Sequence, residues 1–146
     1  MGARALSVDA VAVRPDGLAV AVWTARDASD SYAELWAASY APGAGWGAPV
    51  LVHDPAGLAL DHARVALTAD GQLVVAWRGD GGDGTLGLFW KATDAGAIDL
   101  SAPPTEVAPP AWAAAADLAT FALSPDAPLT LFAHYAGIAT PALTTW

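Results

Sequence analysis

Two clusters of ionisable residues follow apolar runs that each end in tryptophan: Arg26, Asp27 and Asp30 after Trp23, and Arg78, Asp80 and Asp83 after Trp77. Carboxylates beside guanidinium groups can hydrogen-bond sugar hydroxyls or divide the roles of acid and base. Between them lie His53-Asp54 and Asp61-His62, two imidazoles and two carboxylates that could ligate a divalent ion. The run Asp80-Gly81-Gly82-Asp83-Gly84 offers carboxylates and backbone carbonyls to calcium. Neither set has an established metal spacing, since the chain holds no EF-hand loop and no His-Glu-x-x-His, so no metal or cofactor is expected. The glycine-rich stretch 79–84 lacks the lysine and following helix of a phosphate loop. Trp23 and Trp77 can serve as aromatic platforms for a sugar ring, although packing is the commoner use of such residues. For the whole group the alternative is a solvated loop with no ligand.

The elements that position these residues repeat. Val13 to Trp23, with Pro15-Asp16-Gly17 inside it, lines up with Leu67 to Trp77, with Ala69-Asp70-Gly71 inside it, at an offset of 54. At the same offset Leu35-Trp36 falls on Phe89-Trp90, and Trp46 to Pro49 falls on Leu100 to Pro103. Three separated blocks in one register mark a repeat architecture. A weaker third copy begins at Leu123-Ser124-Pro125-Asp126, at an offset of 56, and puts Ala133 at the tryptophan position of 23 and 77. His134 beside it reads as a core histidine.

Short apolar runs broken by Asp-Gly turns predict strands. The first copy offers segments at 8–13, 18–24, 33–40 and 48–53, and the second at 62–67, 72–78, 86–93 and 102–107. The third offers 118–123, 129–134 and 139–146, and 111–117 is the one place for a helical turn. Several runs are almost continuously apolar, as sheets covered on both faces require. The fold class expected is therefore all-β: four-stranded antiparallel meanders arranged as β-propeller blades, at about 8–54, 61–108 and, incomplete, 117–146. In such a ring the clusters around Arg26, Arg78 and His53 share one end. Asp16, Asp70 and Asp126 read as turn residues without chemistry.

Composition narrows the partners. Of 146 residues 55% are hydrophobic and 14% charged, which favours a packed core over disorder. A net charge of −9 argues against nucleic acid and against anionic membranes. There is no cysteine, which excludes disulfides and thiolate sites and leaves the compartment open. Met1 to Val8 carries no apolar run of signal-peptide length, so a secreted or cell-surface location would need a signal on a longer parent chain.

The run Asp16 to Trp23, then Leu35 to Ser39, then Gly45 to Val50, resembles the repeat of sialidase-like (BNR or Asp-box) β-propellers. In that family a loop between the third and fourth strands carries Ser-x-Asp-x-Gly-x-Thr-Trp. Ser39, Gly43 and Trp46 stand at the Ser, Gly and Trp positions, whereas Ala41 replaces the Asp and Gly45 the Thr. The second copy retains Thr93 at the Ser position, with Ala95 and Leu100 at those of Asp and Trp. Sialidases in the family use an arginine triad, a Tyr–Glu nucleophile pair and an Asp acid/base, and no position here matches those motifs. The resemblance implies a non-catalytic module that binds carbohydrate or a protein surface, or scaffolds other domains. The alternative it leaves is a fragment of a sialidase-like glycoside hydrolase. Because propellers close with about four to eight blades, the chain is expected to be part of a larger protein or to assemble with copies of itself.

Overall fold

A computed structural model describes residues 5–26, 33–54, 60–80, 86–93, 100, 103–107, 118–124, 130–135 and 142–145. Every regular element among them is a strand, and all strand pairs are antiparallel. No helix is long and apolar enough to cross a membrane among the described residues.

The first sheet contains β1 (Ala5–Val13), β2 (Ala19–Arg26), β3 (Ala33–Ala41), β4 (Gly45–Trp46) and β5 (Val50–His53). β1, β2 and β3 form a meander, and both β4 and β5 pair with β3, so the expected fourth strand is split into two pieces. The second sheet is the meander β6 (Leu60–Leu67), β7 (Leu73–Asp80), β8 (Leu86–Ala92) and β9 (Thr105–Val107). The third contains β10 (Leu118–Ser124), β11 (Thr130–Tyr135) and β12 (Ala142–Thr145). β6 packs against β1 and β2 on one side and against β10 on the other, so the first strands of successive sheets are neighbours.

The first hairpins of the first two sheets are built alike, as their shared Asp-Gly predicts. Gly17 donates to the Arg14 carbonyl and Gly71 to that of Thr68, with φ of 85° and 92°, a region that glycine enters without a Cβ penalty. Asp16 accepts from the Leu18 amide and pairs with Arg14, and the amide first, then the guanidinium, hold its carboxyl below the ordinary 3.8. Asp70 accepts from the Thr68 hydroxyl, which in turn accepts from the Gln72 amide. Both aspartates are turn residues.

Each first strand also carries a bulge. Val8 faces Trp23 and Ala10 faces Val22, leaving Asp9 extra. In the second sheet His62 and Ala63 together stand opposite Trp77, and His62 has a φ of 54°. Asp9 uses its position to accept a 2.6 Å hydrogen bond from the buried Thr24 hydroxyl. Because partners in a ladder share a face and neighbours alternate, the extra residue keeps Leu6, Val8, Val11 and Val13 on one face. They lie opposite Ala25, Trp23, Ala21 and Ala19 in turn.

The core forms between two sheets. Val20, Val22, Leu35 and Val52 of the first pack on Leu73, Val75, Trp77 and Phe89 of the second. The opposite face of the second sheet is covered too, with Val74 and Ala76 fully buried and Trp90 and Ala92 packed against Ala66 and Val74. Continuous apolar sequence in Leu73 to Trp77 thus corresponds to a strand buried on both faces.

Two registers differ from the sequence alignment. Trp23 pairs with Trp36, whereas Trp77 pairs with Phe89 and Trp90 with Ala76, so Trp36 and Trp90 do not share a position. The connection 81–85 is one residue shorter than 27–32, and a one-residue slip moves every side chain of the following strand to the other face. In the third sheet Ser124 pairs with Thr130, as Leu67 does with Leu73. This places His134, not Ala133, at the register position of Trp23 and Trp77.

Candidate functional site

Two places gather the sequence-predicted residues: the junction between the first two sheets, and the outer face of the first. At the junction, Arg26 closes β2 and donates through its guanidinium to the Leu60 carbonyl at 2.8 Å, tying the first sheet to the start of β6. His53 closes β5 and lays its ring against the next sheet, 5.1 Å from Trp77 and 6.5 Å from Phe89. Trp77 and Phe89 stack on each other at 6.2 Å. Trp77 is 0% exposed, so it is a core residue and presents no platform to a sugar.

Lys91 completes the junction, and sequence reading did not single it out. Its ammonium donates to the Val52 carbonyl at 2.6 Å and to the Leu100 carbonyl at 2.9 Å, bridging the two sheets. Burial holds the Lys91 ammonium below its ordinary 10.5. Burial likewise holds the His53 imidazole below 6.5, aided by repulsion from Lys91 and opposed by Asp54. Both burial and the neighbouring ammonium thus favour the neutral form of the ring. The only sequence sign of Lys91 was a lone cation in the apolar run Leu86 to Ala92.

Asp54 and His62 are exposed, and Asp61 stands opposite Arg78 in the ladder. Asp80 stands opposite Leu86 at the end of β7. Asp27, Asp30 and Asp83 lie outside the described residues, as do most of the stretch 79–84, the segment 111–117, Ala95, Asp126 and Trp146. Among the described residues no group of three or more His, Asp and Glu side chains is placed to hold a metal ion.

The outer face of the first sheet carries the other candidate, Trp23. It lines an open cleft of about 290 Å³ with Ala21, Ala38, Trp46, Gly47 and Pro49. The loop that resembles an Asp-box makes one wall: Gly43 and Gly45 have φ of 82° and 84°, and Gly47 donates to the Ser39 carbonyl at 2.8 Å. This turn places Trp46 against Tyr40, with ring centroids 5.5 Å apart. The walls are apolar and offer few groups to orient a polyol. Such a surface favours aromatic and aliphatic contact over hydrogen-bonded recognition.

Comparison with known proteins returned no match: no family model, no curated protein and no solved structure matches the chain.

Proposed function

We propose that the chain is a non-catalytic module of sialidase-like β-propeller blades, and that it works by binding and scaffolding protein surfaces. The observation that carries this reading is the use made of the polar candidates at the sheet junction. Arg26 is committed to a backbone carbonyl of the next sheet, and His53 to its aromatic pair. Trp77 is enclosed between the sheets. These residues join one sheet to the next. What stays open is the apolar outer face of the first sheet, with Val8, Val13 and Trp46 exposed on it. Contiguous exposed apolar surface is the chemistry of protein recognition. The repeated meander, the recurrent bulge and the face-to-face packing of the first two sheets support the blade reading.

Carbohydrate binding is the narrower possibility within this reading, with the Trp23–Trp46 cleft as its stacking surface. No observation among the described residues favours the glycoside hydrolase alternative. A fluorogenic sialoside assay and a glycan array, run on the 146-residue chain, test the proposal together. No turnover and no glycan signal are expected. Turnover would overturn the non-catalytic reading, and a glycan signal lost in Trp23→Ala would replace protein recognition by sugar binding.

A further inference from the structure

The second sheet contains a template for what belongs on the open face of the first. Trp77 and Trp23 stand at the same register position, each opposite the bulge of its sheet. Val75 corresponds in the same way to Ala21, and Lys91 to Ala38, its ladder partner. Around Trp77 this surface is filled from the preceding sheet: the His53 ring lies tilted against the indole and the Val52 carbonyl accepts from Lys91. Around Trp23 the same surface is the open cleft beside Trp46. The cleft is thus shaped as a socket for the outer strand of another sheet.

The face around it matches that use. Leu6, Val8, Val11 and Val13 are 69%, 70%, 54% and 67% exposed, and they run on through Trp23 and Trp36 to Leu51 and Trp46. Glu34 is the only charged residue on the described part of this face, and its carboxylate accepts the Trp36 indole N–H at 2.9 Å. The described part of this face thus carries one of the chain's 15 acidic residues. Depletion of charge at the centre, with tryptophan and aliphatic residues enriched, is the composition of an interface core.

We infer that this face docks a second copy of the chain, through Leu6, Val8, Val11, Trp23 and Trp46. The inference takes its occupant from the blade reading, because a sheet of the same repeat covers the equivalent face within the chain. A second copy supplies such sheets at the protein's own concentration. The contact is self-association with a bounded mass if the arrangement closes on itself, and a growing polymer if it does not.

Light scattering coupled to size exclusion, from ~1 to ~100 µM protein, tests this on the whole chain. The wild type is expected at twice the monomer mass or more, with tryptophan emission shifting to the blue as the oligomer fills. The double variant Val11→Asp/Trp46→Asp changes two exposed positions and is expected to be monomeric with an unchanged far-ultraviolet circular dichroism spectrum. Ala69→Asp adds one negative charge on an exposed turn of the second sheet, away from this face, and is expected to behave as wild type. A folded wild-type monomer throughout this range would overturn the inference and leave an upstream segment or another protein as the occupant. Oligomers whose mass is unchanged by the double variant would overturn it equally. A glycan signal on a wild-type oligomer would count against the proposed function alone, so the two failures are distinguishable.

Discussion

His53 of the first sheet lies over Trp77 of the second, their ring centroids 5.1 Å apart and their planes inclined by 35°. One residue from the end of an outer strand thereby closes the core of the neighbouring sheet. Trp23, at the matching position of the first sheet, has no such cover among the described residues and is only half-buried. The two tryptophans consequently answer differently to truncation. Trp77→Ala is expected to destabilise by about 3–5 kcal/mol, the range for a buried large aromatic. Trp23→Ala is expected to cost about 1–2 kcal/mol, in proportion to its smaller buried area. Urea denaturation of dilute protein measures both, and equal losses would contradict the difference in cover.

The pH dependence of stability follows from the same contact. Burial and Lys91 hold folded His53 below 6.5, the value that an exposed imidazole takes in the unfolded chain. Between those two values the unfolded chain binds more protons, so stability is full above 6.5 and falls as the pH drops through the window. His53→Phe keeps an aromatic ring over Trp77 and has no proton to bind. Urea midpoints from pH 8 to pH 5 are expected to fall more steeply for the wild type than for this variant. Parallel curves would show that His53 does not carry the effect.

Gly17 and Gly43 separate conformational cost from steric cost. Both have positive φ, but a Cβ on Gly17 would lie 2.9 Å from Pro42 Cγ, whereas one on Gly43 would meet nothing within 4 Å. Gly43→Ala is expected to lose about 1 kcal/mol for the left-handed backbone alone. Gly17→Ala must also move the proline ring that packs the first hairpin against the β3–β4 loop, and its thermal midpoint is expected to drop further. Equal midpoints would mean that Pro42 yields freely.

Much of this fold was legible because its signals are local. Pro15-Asp16-Gly17 and Ala69-Asp70-Gly71 specify their turns through bonds within a few residues, and the strands beside them follow from the apolar runs. The third strands were misaligned because their register depends on loop length: the identical letters Trp36 and Trp90 hid a slip of one residue and a change of face. The polar candidates were found, but their roles were not. Arg26 and His53 look the same in sequence whether they meet a ligand or the next sheet, and only the packing of the second sheet on the first decides it. The long apolar face was hidden for a related reason. Leu6 and Val8 fall out of phase with Val11 and Val13 until the bulge at Asp9 brings all four to one side.

Asp9 and Thr24 give that bulge a testable anchor. Thr24 is buried to 2% exposure, and its hydroxyl has the Asp9 carboxylate at 2.6 Å as its acceptor. Thr24→Val preserves the shape and β-branching of the side chain while deleting the donor, leaving a partly buried carboxylate short of one hydrogen bond. A loss of about 1–3 kcal/mol is expected, the range for an unmade bond to a charged partner. Replacing both groups, in Asp9→Ala/Thr24→Val, removes the stranded acceptor and should recover part of that loss. The double-mutant cycle in urea also reads the bulge itself. If Asp9 is extra in the ladder because of this bond, the double variant lets β1 slip by one residue, which turns Leu6 and Val8 away from the open face and weakens self-association. A double variant with wild-type oligomer mass would show instead that the bulge is held by the packing of β1 on β6.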